Sequence, residues 1–170
     1  MILRCSVWVL AAAAASPVET QTLKVDFNDK VDFAAFRSYA WKDTQEPTPS
    51  PLNHQHITRA VERELEAKGL VKAGAGRPDV VVRYFGRVEK RTKGASRSEE
   101  TGLQPADRRT VVEFSRVEEV KLILELYTPA GLEPAWSAVA TDALAPADRL
   151  EQQIDDAIAR MLEAYPPKPR

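Results

Sequence analysis

Apolar and polar residues change rhythm several times along this chain, and each rhythm predicts an element. Leu23, Val25 and Phe27 alternate with Lys24 and Asp26, the period-two pattern of a half-buried strand. Asn28-Asp29 is a turn signal. Asp32 is placed to cap one helical turn running to Phe36, and residues 38–42 read as a second strand. The period then lengthens. Ile57, Val61 and Leu65, with Ala60 beside them, form one apolar stripe, and Arg59, Glu62, Arg63, Glu64, Glu66 and Lys68 cover the rest. Asn53 is a fair N-cap, and Gly69 stands where a left-handed C-terminal cap is expected. The spacing predicts a helix over residues 54–68.

Gly74, Gly76 and Pro78 mark a turn before a strand over residues 79–91. Val80, Val82, Tyr84 and Val88 share one face; Val81, Arg83, Phe85, Arg87 and Glu89 share the other. A sheet covered by helices on one side gives this pattern. Residues 92–109 are polar and nearly devoid of large apolar side chains, which predicts a flexible hairpin loop or insertion. Residues 110–128 suit one long strand, or two joined by a bulge. Val120, Leu122, Leu124 and Leu126 alternate there with Lys121, Ile123, Glu125 and Tyr127. Pro129-Ala130-Gly131 is a turn, and residues 136–141 form the returning strand of a hairpin. A second helix starts near Asp148, with Leu150, Ile154, Ala157, Ile158, Met161, Leu162 and Tyr165 on its apolar stripe, and Pro166-Pro167 ends it. Strand runs with two separated helices, each carrying one apolar stripe, predict an α+β fold. The expected form is a two-layer sandwich, a mostly antiparallel sheet with two helices packed on one face. Residues 22–167 would make a single domain.

Composition narrows the function. The chain has 170 residues, 44% hydrophobic and 29% charged, enough to bury a core without metals or disulfides. Its formal net charge of −1 argues against nucleic-acid binding driven by bulk charge. Cys5 is the sole cysteine, which excludes an internal disulfide and a cysteine-based zinc site. Residues 1–15 read as a signal peptide: Arg4 supplies the charge, an apolar run follows to Ala15, and Ser16-Pro17 breaks it. The run is shorter than the ~20 residues a bilayer span needs, so no transmembrane span is expected after cleavage. Arg4 precedes Cys5, and the apolar run follows it, so Cys5 is not set in a lipobox. The expected form is periplasmic and without a lipid anchor. Pro47, Pro49 and Pro51 make residues 44–51 a polar, extended loop.

Few residues suggest chemistry. His54 and His56 lie two apart, whereas metal ligands on one helix face prefer three or four. Asp26, Asn28 and Asp29 resemble a fragment of a calcium loop, but the glycine and the closing glutamate are missing. No serine nucleophile elbow, phosphate loop or dinucleotide turn is present. The expectation is therefore no catalytic, cofactor-binding or metal residues, and no cofactor. Arg83, Arg87, Lys90, Arg91, Lys93 and Arg97 form a basic strip over residues 83–97, interrupted by Glu89 alone. Arg83, Arg87 and Arg91 share a strand face and are the candidates for binding anionic lipid or lipopolysaccharide phosphates. The alternative is ordinary cross-strand pairing with Glu113, Glu118, Glu119 and Glu125. Phe33, Phe36, Tyr39 and Trp41 could line a groove or pack the core.

Five segments carry a family resemblance. Asp32, Phe33, Phe36, Ser38, Tyr39, Ala40 and Trp41 form an Asp-Phe-x-x-Phe-x-Ser-Tyr-Ala-Trp segment. Ile57, Ala60, Val61, Glu64, Leu65, Lys68 and Gly69 follow on the first helix, and Pro78-Asp79-Val80-Val81-Val82 opens a strand. Trp136 and Ala138 come late, and Ala164-Tyr165-Pro166-Pro167 closes the chain. In this order, over roughly residues 22–167, they resemble the bacterial envelope family called domain of unknown function 4136. The resemblance implies an exported protein of Gram-negative bacteria, often a lipoprotein, with no assigned activity. The chain departs from the family in lacking a lipobox cysteine just before the domain. It also carries a charged segment where relatives have a Gly-rich aromatic stretch. The expectation is a non-catalytic binding or accessory module, its partner an envelope protein or lipid of unknown identity. The alternative is an anionic lipid or lipopolysaccharide binder acting through residues 83–97.

Overall fold

A computed structural model describes residues 22–42, 50–74, 76–100, 108–131 and 133–167. The expected signal peptide and most of the proline-rich loop lie outside the described residues. The elements are β1 (Thr22–Phe27), a 3-10 turn (Phe33–Ala35), β2 (Ser38–Trp41), α1 (Pro51–Ala67), β3 (Val71–Lys72), β4 (Val80–Glu100), β5 (Arg108–Tyr127), β6 (Trp136–Ala143) and α2 (Leu150–Glu163). They build the expected α+β fold, one six-stranded sheet in the order β1-β6-β5-β4-β2-β3. The first four strands in that order pair antiparallel, while β2 pairs parallel with both β4 and β3.

One side of the sheet and both helices share a single core. Val80, Val82 and Tyr84 of β4, Leu122, Leu124 and Leu126 of β5, and Trp136, Ala138 and Ala140 of β6 point into it. They meet Ile57, Ala60, Val61 and Leu65 of α1, and Ile154, Ala157, Ile158, Met161 and Leu162 of α2. Helix α1 begins earlier than the stripe predicts. Ser50, not Asn53, is its N-cap and accepts from the Asn53 N–H at 3.3 Å, with Pro51 in the first helical turn. Proline suits that position because its missing N–H would have had no intrahelical partner. Gly69 takes φ +85°, the left-handed conformation expected of it.

The main difference from expectation is in residues 92–109. Residues 92–100 and 108–109 belong to strands, not to a loop. β4 and β5 stay in register from Val81↔Tyr127 to Glu100↔Arg108. Yet β6 pairs β5 only as far as Glu119, and β2 pairs β4 only at residues 80–82. Beyond Glu89 and Glu119 the hairpin therefore leaves the sheet as a two-stranded arm, roughly 35 Å long at ~3.3 Å per residue. Periodicity missed it because an arm with no buried face has no apolar alternation to show. The ladder satisfies only the backbone groups that face the paired strand; those on the two outer edges face away from it.

Candidate functional site

The alternation of β4 puts Arg83, Arg87 and Arg91 on the sheet face away from the helices, and there each meets a neighbour. Arg83 stands opposite Glu125 and stacks on Phe85, its guanidinium 4.0 Å from the ring centroid. Arg87 reaches Glu89 at 2.5 Å. Arg91 reaches Glu119 at 3.1 Å, whereas Lys90 and Glu118 pair at 3.4 Å on the helix side of the ribbon. Lys42 lies over the Tyr127 ring, whose hydroxyl donates to Glu125 at 2.7 Å. Glutamates and arginines are thus interleaved across this face, and the arginine heads at Arg87 and Arg91 stay largely in water.

The other side holds a groove that sequence reasoning did not foresee. It measures about 500 Å³ and opens at the root of the arm, between the first turns of both helices and the sheet. Its floor follows from the register. Gly86, Leu122 and Ala140 form one inward-facing row across β4, β5 and β6, and two of the three have little or no side chain. A β-carbon added to Gly86 would meet only ordinary van der Waals contacts, with Leu122 at 3.8 Å and Ile57 at 4.0 Å. The next row outward ends the floor with Val88, Val120 and Asp142. Ile57 comes from α1; Leu150, Ile154 and Ala157 come from α2. Gln153 fixes the α2 wall, donating to Asp142 at 3.1 Å and to the Ala143 carbonyl at 2.6 Å, and accepting from the Ala145 N–H at 3.0 Å. The available signal was Gly86 interrupting the inward run Tyr84–Val88, together with Ala140 and Ala157 at apolar-stripe positions.

The remaining candidates have structural employment. His54 contacts the Tyr84 hydroxyl at 2.5 Å through Nδ1 and stacks on that ring, whereas His56 contacts Glu151 at 2.9 Å. The two imidazoles thus serve different partners. Among the described residues no cluster of three or more metal-ligating side chains occurs. Asp26 and Asn28 accept from the N–H groups of Phe27 and Lys30, which makes a turn of the calcium-loop fragment. Phe33 packs edge-on against Phe27, Phe36 and Tyr165, and Tyr165 against Trp136. Trp41 packs against Tyr84 and donates from Nε1 to Glu62 at 2.8 Å. The aromatic segment is therefore core and strut.

The shifted ionisable groups fit the same picture. Burial opposes the charge on Glu62, but hydrogen bonds from Lys72 and Trp41 outweigh it and hold the carboxyl below its ordinary value. The Ser38 hydroxyl, then the N–H groups of Arg37 and Ser38, do the same for Asp79. Burial pushes Tyr84 and Tyr165 up to about 12. Burial, followed by the charges of Glu62 and Glu66, does so for Tyr39. No helix among the described residues is long and apolar enough to cross a membrane.

Comparison with solved structures agrees with the fold. A PDZ domain protein from Parabacteroides distasonis superposes with a TM-score of 0.54 at 18% identity, over 88% of this chain and 37% of that one. The chain thus spans little more than a third of that protein. A PelC dodecamer from Paraburkholderia phytofirmans superposes with a TM-score of 0.51 at 16% identity, over 84% of this chain and 95% of that one. At such identities the likeness is one of fold. No curated protein matches the sequence. The family model described as domain of unknown function (DUF4136) matches residues 23–167, nearly all of the sheet and both helices, and the chain belongs to that family.

Proposed function

We propose that the chain is a non-catalytic binding module of the bacterial cell envelope, and that it takes an apolar partner in the groove at the root of the arm. The observation that carries this reading is the groove itself. Its volume of about 500 Å³ falls within the ~300–1,000 Å³ of ordinary ligand pockets, and its walls combine many apolar groups with a few polar ones, as such pockets do. The shifted acids support it too, since Glu62 and Asp79 are tied into structural contacts. The envelope assignment rests on the signal-like residues 1–15 and on the family resemblance. The PelC neighbour forms a dodecamer, which supports association rather than turnover as the business of this fold.

An apolar fluorophore such as anilinonaphthalene sulfonate tests the groove. The chain without residues 1–15 binds the probe saturably, and Gly86→Leu weakens binding at least tenfold while the far-ultraviolet circular dichroism is unchanged. No binding by the parent chain, or equal binding by both, removes the reading. Export is tested separately by a carboxyl-terminal alkaline phosphatase fusion to the full chain. Activity in intact cells is expected, and a fusion active only after lysis refutes it.

A second reading, anionic lipid or lipopolysaccharide binding, is favoured by the exposed basic groups of the strip over residues 83–97. The side chains of Arg87 and Arg91 are 69% and 62% exposed despite their pairing, and Lys121 stands directly opposite Arg87. Replacing Arg83, Arg87 and Arg91 by glutamate abolishes flotation with phosphatidylglycerol vesicles on this reading. Unchanged flotation, or none by the parent chain, eliminates it.

A further inference from the structure

The arm and the groove belong together. A two-stranded ribbon standing alone in water is marginal, and a sheet needs a third strand or a packed face to be secure. Here the ribbon extends from Lys90 to Glu100 and from Arg108 to Glu118 with no further strand on either side among the described residues. Both of its edges are open, which proteins ordinarily avoid or cover. Its surface also carries exposed large apolar side chains: Phe114, the most exposed such residue among the described ones at 74%, and Val112 at 51%. Two residues apart on one strand, they share a face.

Phe114 has a local role. Its ring crosses to Gly94 on the paired strand, where an added β-carbon would stand 3.3 Å from Cε1. That contact fixes the ring on the arm but leaves most of it in water. Phe114 does not reach its own groove. Val120, which lines the groove, is six residues back along a straight strand, ~20 Å away. On that face the ion pair Lys90–Glu118 lies between the two apolar spots. One end of the molecule thus presents an apolar projection and an apolar hollow that do not meet within one chain.

We infer that the groove of one copy seats the arm of another, with Phe114 entering between α1, α2 and the Gly86–Leu122–Ala140 floor and Val112 packing at its mouth. This inference rests on the groove being a binding place, as proposed above, and names its occupant. A ring with a branched neighbour matches a hollow of about 500 Å³, because an aromatic side chain buries ~150–250 Å². Projection and hollow are different surfaces. The contact therefore either closes a ring head to tail or is returned reciprocally within a two-fold pair.

Sedimentation equilibrium on the chain without residues 1–15 provides the test. The parent chain is an oligomer. Phe114→Asp and Val112→Asp, which spoil the projection, each reduce the mass to that of a monomer, and so does Gly86→Leu, which fills the hollow. Mixing Phe114→Asp with Gly86→Leu restores one intact projection and one intact hollow, and gives a one-to-one complex that stops there. That complex also shows both variants to be folded. A monomeric parent chain, or arm variants as oligomeric as the parent, overturns the inference. So does a mixture that does not associate. If the parent chain is monomeric yet binds the apolar fluorophore in a Gly86-dependent way, the groove stands as a binding place and only its occupant is wrong. If the parent chain neither associates nor binds the probe, both readings fall.

Discussion

Asp79 joins the start of β4 to the start of β2 through a single oxygen. Its Oδ2 accepts from the Arg37 N–H at 3.0 Å, the Ser38 N–H at 2.9 Å and the Ser38 hydroxyl at 2.8 Å. These bonds favour the charged carboxylate, so its pKa in the fold lies below the ordinary 3.8. The stability it contributes is complete above that ordinary value and is lost as pH falls through the lowered one. Asp79→Asn is therefore less stable than the parent chain at neutral pH, with the difference shrinking in acid. Thermal melting across that range checks this, and a difference that does not change with pH contradicts it. Tyr165 makes the opposite case. Its hydroxyl is buried with no partner among the described residues, and such a group costs ~1–3 kcal/mol. Tyr165→Phe should leave stability unchanged or raise it by about 1 kcal/mol in urea unfolding. A clear loss would mean that the hydroxyl has a partner.

Among the elements, those with a buried face were legible and those without were not. The alternation of Leu122, Leu124 and Leu126 and the stripes of α1 and α2 predicted what the structure shows, because burial on one side writes a period into the chain. Three features left no such trace. β3 has two residues, both exposed, too few for any period. In the arm, residues 92–100 are all polar or small, so only its second strand, from residue 110, was legible. The parallel pairing of β2 with β4 is a choice between neighbours distant in sequence, which local pattern does not encode. The groove is partly legible through Gly86 and Ala140, but only the register shows that they stand in one row. The charged strip was legible as a strip, although its interleaving with Glu89 and Glu119 needed the pairing. Two element-level outcomes follow. Ser50→Ala removes the α1 cap and costs about 1 kcal/mol, measured by chemical denaturation. Replacing the arm beyond Lys90 and Glu118 with an Asn-Gly turn leaves the circular dichroism and melting temperature of the isolated domain close to the parent, since the arm packs on none of the core. A collapse of the fold would contradict that.

At the scale of the molecule, a line of rings runs from β1 to the C-terminus. Phe27, Phe33, Tyr165 and Trp136 touch in succession, with centroids 5.7–6.3 Å apart. Trp136 is fully buried at the start of β6, so its loss empties the junction of the sheet, the 3-10 turn and the segment after α2. Trp136→Ala should cost ~3–5 kcal/mol, and its urea midpoint should fall far more than that of Ser50→Ala. Equal midpoints would mean that this end of the core is already loose.

The pairing of β1 with β6 also sets an order in time. A ribosome releases residues 22–27 long before residues 136–141, the one strand among the described residues beside which they lie. Contacts so far apart in sequence slow folding, and until the last hairpin emerges the first strand has nowhere to dock. A nascent or truncated chain that stops short of β6 carries Leu23, Val25 and Phe27 uncovered, along with the inward side of β5. Such fragments are the forms of this protein most prone to aggregate and to be degraded.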